Sequence, residues 1–186
     1  MKLSNITKRA MAQSLKKMLL VKELDKITIT DITNDCGINR QTFYYHFKDI
    51  YDLLEWIFAN EIVEKVERET TIENWQNNFK YVLDYILKNK KFIIKIYNSL
   101  SRKMLLDFLF KQYNTIFIGI IDDLSKNYNI TKENEIFIAN FYKYGFAGVI
   151  ENWIITEMKE SPENIIKKLN VMISGSFEEA VKKMST

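Results

Sequence analysis

Thr28-Ile29-Thr30-Asp31-Ile32-Thr33-Asn34-Asp35-Cys36-Gly37-Ile38-Asn39-Arg40-Gln41-Thr42-Phe43-Tyr44-Tyr45-His46-Phe47 is the stretch on which the fold turns. Thr28 and Asp31 have the spacing of a capping box: the hydroxyl accepts from the Asp31 amide and the carboxylate reaches back to the Thr28 amide. A short helix over 29–36 follows, with Ile29, Ile32 and Cys36 facing inward. Gly37 stands where a left-handed residue stops a helix. Asn39 caps a further helix over 40–47, whose Phe43 and Phe47 lie one turn apart on an apolar side. Two short helices joined by a glycine turn, preceded by a longer helix over about 5–24 with Ala10, Leu15, Met18, Leu19 and Val21 on its apolar side, describe a helix-turn-helix.

Working outward, Asp49 and Asp52 offer another box opening a fourth helix to about Glu69. Helical patterns then cover about 72–89, 91–98, 101–127, 132–159 and 162–184. Thr131 and Ser161-Pro162 mark the last two starts. The expectation is an all-α chain of about nine helices. Residues 1–48 form a three-helix head, 49–69 a connecting helix continuous with it, and 70–186 a larger helical bundle.

Composition agrees with that class. One proline and five glycines in 186 residues are too few for the frequent turns of an antiparallel β-architecture. One cysteine (Cys36) and one histidine (His46) exclude an intrachain disulfide framework and a Cys/His metal cage. Cys36 reads as a small buried hydrophobe. No paired carboxylates, nucleophile–base set or metal ligands fall at catalytic spacing, so no enzyme activity and no cofactor is expected. The longest apolar runs, such as 116–121, are interrupted well short of about 18 residues, so no membrane span is expected and the chain is placed in the cytoplasm.

Charge is uneven. Through Lys48 there are nine basic residues against four acidic, a net of +5, whereas the remainder carries a net of −2. A basic head on a faintly acidic body is the footprint of a phosphate-binding module. With Phe43 and Phe47 turned inward, Arg40, Gln41, Thr42, Tyr44, Tyr45 and His46 form the outward set. Arginine and glutamine at the start of such a helix pair bidentately with guanine and adenine edges. Hydroxyls of Thr28, Thr30, Thr42, Tyr44 and Tyr45, with Asn39 and Lys48, suit backbone phosphates. His46 either approaches a phosphate or bonds a nearby backbone group. The expected partner is double-stranded DNA, through Thr28, Thr30, Asn39, Arg40, Gln41, Thr42, Tyr44, Tyr45, His46 and Lys48.

The string from Thr28-Ile-Thr-Asp31 through Gly37 and Thr42-Phe43-Tyr44-Tyr45-His46-Phe47 to Leu53-Leu54 resembles the N-terminal signature of TetR/AcrR-type transcriptional regulators. Residues 39–56 resemble more narrowly the branch that contains activators of dihydroxyacetone-kinase operons. The resemblance implies a homodimer with two DNA-binding heads on a palindromic operator, and a C-terminal part that binds a small-molecule effector or a co-regulator protein. Two positions depart from the pattern. Ile50 stands where many members carry a lysine, so that one phosphate contact is either missing or moved to Lys48, and Thr33 replaces a small alanine.

In the body, Gly145 and Gly148 with Ala147, the run Ser174-Gly175-Ser176 and the apolar stripe of the last helix point to a helix-on-helix dimer face. The aromatic residues there read as core. A rival reading keeps the fold but makes the chain a co-regulator without autonomous DNA binding, and the salt dependence of DNA affinity separates the two.

Overall fold

Helices begin where a short polar side chain can take up a free amide at the start of an apolar period. The computed structural model describes residues 2–61, 71–99 and 102–185. Among them, α1 is Lys2–Leu19, α2 Ile29–Cys36, α3 Arg40–His46, α4 Ile50–Glu61, α5 Trp75–Lys88, α6 Lys90–Tyr97, α7 Arg102–Ser125, α8 Lys132–Ile155, α9 Pro162–Ile173 and α10 Ser176–Lys183. A 3-10 turn lies at Leu24–Lys26, and the only β-pairing among the described residues is a bridge between Ile130 and Ser185. The chain is all-α, as its sequence leads one to expect.

The helices gather into two units. The first comprises Met1–Glu64 with Asn89–Leu105, and the second Lys65–Lys88 with Leu106–Thr186. In the first, α1 packs on α2, α4 and α6, and α2 on α3. Met11, Leu15, Leu19, Ile32, Phe43, Leu53, Leu54, Ile57 and Phe58 are wholly buried there. α6 joins this unit through Phe92, whose ring lies 6.0 Å from Phe58 and 5.3 Å from the Lys16 ammonium. An ion pair of Lys95 with Glu23 adds a polar contact.

The second unit has an aromatic centre. Phe79 and Phe117 each meet Phe146 edge-on, at 4.9 and 4.8 Å between ring centroids. Trp75 lies beside both Phe79 and Phe146, and Phe177 stacks on Phe117 at 5.8 Å. Edge-to-face pairs of this kind add a modest gain beyond the apolar area they bury.

Several boundaries differ from expectation for packing reasons. α1 stops at Leu19, five residues early. Turn bonds from Leu20, Val21 and Lys22 back to Lys17 and Met18 swing the chain out, which lets Leu24 and Ile27 enter the core. Its buried face is Met11, Ala12, Leu15 and Leu19, whereas Ala10 and Val21 are exposed. The fourth helix beyond Glu61 falls outside the described residues. α8 ends at Ile155, where Glu157 and Met158 turn left-handed (φ 55° and 53°). That turn buries Met158 and lets the Trp153 indole donate to the Glu160 carbonyl at 2.8 Å. The last expected helix is in two pieces, divided where Gly175 adopts φ 75°. α7 is long and apolar enough, by length and composition, to cross a membrane, contrary to the reading of its interrupted apolar runs. Its Leu109, Tyr113, Ile116, Phe117, Ile120 and Ile121 are buried as core of the second unit.

Candidate nucleic-acid interface

The local chemistry of the head follows from its caps. The Thr28 hydroxyl accepts from the Asp31 amide at 3.1 Å, and the Thr28 amide donates to the Asp31 carboxylate at 2.9 Å, completing the box. The Thr28 amide and the Thr28 hydroxyl, which also donates to the Asp31 carboxylate at 2.9 Å, hold the Asp31 carboxyl below its ordinary value. Gly37 closes α2 in the left-handed region (φ 65°), where a β-carbon is disfavoured. The Asn39 Oδ1 then accepts from the Thr42 amide at 2.7 Å, capping α3, which starts three residues after the glycine. At the other end, the Asp49 carboxylate accepts from the Asp52 amide, while the Asp52 carboxylate accepts from the Lys48 amide, each at 2.9 Å. This second box therefore reaches one residue further back than a standard one. A side chain thus fixes the start of α3, the Phe47 amide closes its end on the Phe43 carbonyl, and the second box starts α4.

Between these caps, the period of α3 sorts its residues. Phe43 is fully buried and Phe47 nearly so, and Thr33 of α2 is buried beneath with its hydroxyl donating to the Thr30 carbonyl. Arg40, Gln41, Tyr44 and Tyr45 are exposed, as are Thr28, Thr30, Asn39 and Lys48; Thr42 and His46 are half-buried. Tyr45 is 81% exposed, and among the described residues its ring meets only that of the neighbouring His46, edge-on. An exposed helix face bearing one arginine, one glutamine and two phenols above a locked aromatic base is built to meet hydrogen-bonding edges and flat apolar groups.

Not every side chain of the set is equally free. The hydroxyl of Thr28 and the Oδ1 of Asn39 are engaged in capping, and Thr42 donates its hydroxyl to that same Asn39 Oδ1 at 3.0 Å. Burial, reinforced by the Lys8 ammonium, pushes His46 below its ordinary value, so the imidazole is neutral at pH 7. Lys8 was not among the residues singled out from the sequence. It lies 5.5 Å from the Phe47 ring and 5.9 Å from Trp56, which carries a cation from α1 to the end of α3. Only the fold brings residue 8 there. Cys36 is half-buried rather than buried, and burial pushes its thiol up, away from the reactive thiolate form. Among the described residues no group of three or more His, Cys, Asp or Glu side chains could hold a metal ion.

A second surface lies on α8. Phe137, Phe141, Tyr144 and Ile155 are exposed, with Gly148 between them. The positions 137, 141, 144, 148 and 155 keep the alternating spacing of a helix-pairing seam. A β-carbon at Gly145 or Gly148 would meet nothing within 4 Å, so packing within one chain does not require glycine at either position. Both glycines edge a groove of about 390 Å³ shared with Val149, Asn152 and Ile165. Ala147 points the other way and is buried, and the stripe of the last helix is mainly core, with Met172 an exposed exception.

Two short helices packed on a longer one in one unit, with a second unit that is also helical, form the architecture of a helical transcriptional regulator. Residues 73–175, more than half of the chain, match the TetR-type family model described as the transcriptional regulator C-terminal region. The chain therefore belongs to the TetR-type transcriptional regulators. It is 28% identical over 157 residues, 83% of each chain, to the HTH-type dhaKLM operon transcriptional activator DhaS of Lactococcus lactis subsp. lactis (strain IL1403). Among solved structures it is similar to a dihydroxyacetone kinase operon activator DhaS, with TM-score 0.72 and 24% identity over 97% of this chain and 99% of that one. It is similar also to NalD, the secondary repressor of the MexAB-OprM multidrug efflux pump in Pseudomonas aeruginosa. There the TM-score is 0.58 and the identity 11%, over 91% and 94% of the two chains. Its relatives are regulators of transcription and not enzymes.

Proposed function

We propose that this regulator is a sequence-specific, homodimeric DNA-binding protein that reads a palindromic operator through α3. The observation that carries the reading is the sorting of α3: Phe43 and Phe47 buried, with Arg40, Gln41, Tyr44 and Tyr45 left exposed. Residues 1–48 act as the DNA-binding head, 49–69 as the connection, and 70–186 as the part that dimerises and receives control. Arg40 and Gln41 read base edges in the major groove. Tyr45 meets the duplex with its ring and hydroxyl, Tyr44 stands on the same face against Arg40, and Lys48, Thr30 and Thr42 hold phosphates. Thr28 and Asn39 contribute mainly by fixing the helix starts from which those contacts are made.

A dimer supplies what one seven-residue helix lacks. Two heads on half-sites about one helical turn, roughly 10 bp, apart double the contacts and impose palindromy. The exposed seam of α8 is the proposed dimer face. A helix-interior glycine costs about 1 kcal/mol relative to alanine, and two on one open face are explained by close approach of a second chain's helix. Control comes from an unidentified small-molecule effector or co-regulator protein acting on the C-terminal part. Such a ligand shifts operator affinity only as far as it binds the DNA-competent and incompetent states unequally. The protein works in the cytoplasm, without a membrane partner or a cofactor.

The test is selection of bound fragments from the source genome, followed by footprinting at two salt concentrations. A protected palindrome is expected. Arg40→Ala is expected to cost about 1–3 kcal/mol on it and to relax preference at the base pair that Arg40 reads. Affinity unchanged in Arg40→Ala would displace α3 as the reader. Lys48→Ala is expected to weaken binding to all sequences alike. It should also reduce the slope of log affinity against log salt by about one unit, measured by fluorescence anisotropy between low and physiological salt. Tight binding with no salt dependence would count against the phosphate role.

A further inference from the structure

Three ring contacts run from α4 to the exposed face of α3. Trp56 meets Phe47, Phe47 meets Phe43, and Phe43 meets Tyr44, each with centroids 5.9 Å apart. Phe43 and Phe47 are buried, so the last ring of the series, half-exposed Tyr44, is held from beneath. On its other side stands Arg40, one turn earlier on the same helix face. The Arg40 guanidinium carbon lies 5.9 Å from the Tyr44 ring centroid, and Nη2 donates to the phenol oxygen at 3.3 Å. Among the described residues Arg40 has no carboxylate partner, so this phenol is what orients it.

We propose that Tyr44 is a positioning residue: it orients the Arg40 guanidinium for base reading and thereby sets specificity at the base pair Arg40 contacts. The inference rests on the reading of α3 as the DNA-contacting helix. A long, unrestrained arginine must lose rotamer freedom when it docks on a base, and a side chain already ordered in the free protein loses less. One of the five guanidinium N–H groups goes to Tyr44, which leaves donors for the O6 and N7 acceptors of a guanine. The aromatic series supplies the rigidity, because Tyr44 is anchored to a buried neighbour rather than to solvent.

The experiment is a double-mutant cycle on duplexes enriched from a random library by the wild-type protein. The base pair read by Arg40 is the one whose preference Arg40→Ala erases. Tyr44→Leu, which removes ring and hydroxyl, is expected to lose about tenfold in affinity on the enriched duplex and about the same factor in discrimination at that base pair. In the Arg40→Ala background the same change is expected to cost less than about twofold, because nothing remains to be positioned. Tyr44→Phe keeps the ring, so part of the discrimination should survive. It also guards the test should Tyr44→Leu disturb the helix. Equal losses from Tyr44→Leu in both backgrounds, on all duplexes alike, would overturn the proposal and make Tyr44 an independent contact to the DNA backbone. A wild-type protein that enriches no sequence would overturn the reading of α3 itself, and the inference with it.

Discussion

Gly148→Leu is expected to break the proposed dimer into monomers and to reduce operator affinity by about 10²- to 10⁴-fold, the factor lost when two linked binding modules act singly. The change leaves the fold of one chain unstrained. A β-carbon at this position meets nothing within 4 Å, and the residue is exposed on α8 among Phe141, Tyr144 and Val149. Leucine is also the better helix former, by roughly 0.8 kcal/mol or a little less. Any loss therefore belongs to the approach of a second helix, which a leucine side chain holds off. Gly148→Ala, adding only a methyl group, should weaken the dimer less while raising the intrinsic helix propensity. Sedimentation velocity at micromolar concentration reads the association, and circular dichroism checks that α8 persists. A Gly148→Leu protein that remains dimeric with unaltered operator affinity would remove α8 as the dimer face. Phe137 and Phe141, both more than half exposed, would then need another partner.

What the sequence discloses about this protein is what is local. The Thr28–Asp31 box, the left-handed Gly37 and the Asn39 cap each depend on residues no more than four apart, and all three form as the spacing implies. The sorting of α3 is local too, since burial of Phe43 fixes which of its neighbours face out. Features set by distant packing were not legible. The early end of α1 depends on where Leu24 and Ile27 find the core. α6 groups with the N-terminal helices because Phe92 and Lys95 meet Phe58 and Glu23, residues far back in the chain. The division of the last helix needed Gly175 to adopt a left-handed conformation inside an otherwise continuous apolar pattern. Ala147 lies between two outward glycines but turns inward, because the helical period puts it there. Lys8 reaches the end of α3 only in the folded head. The seam of α8 had a signal in its alternating three- and four-residue spacing, masked by a helix that is apolar on both sides.

Phe43→Ala is expected to abolish operator binding by unfolding the head rather than by removing a contact to DNA. Phe43 is fully buried, lies 5.9 Å from Phe47, and supports the Tyr44 ring from below. Truncating a buried phenylalanine costs about 3–5 kcal/mol, the transfer free energy of the ring together with the cavity left behind. A whole domain is stable by only about 5–15 kcal/mol, so a small three-helix head has little in reserve. Urea unfolding followed by far-ultraviolet circular dichroism should show a transition at lower denaturant for the helices of the first unit. Hydrogen exchange should show lost protection in α2 and α3 first. Tyr45→Ala provides the contrast. With 81% of the residue exposed, its removal should change stability by no more than about 0.5 kcal/mol while weakening operator binding. The two aromatic residues, two positions apart, thus separate by readout, one through stability and the other through affinity. A Phe43→Ala head as stable as the wild type would mean that the two-helix reader is held by something other than its aromatic core, and the placement of the exposed reading face would fall with it.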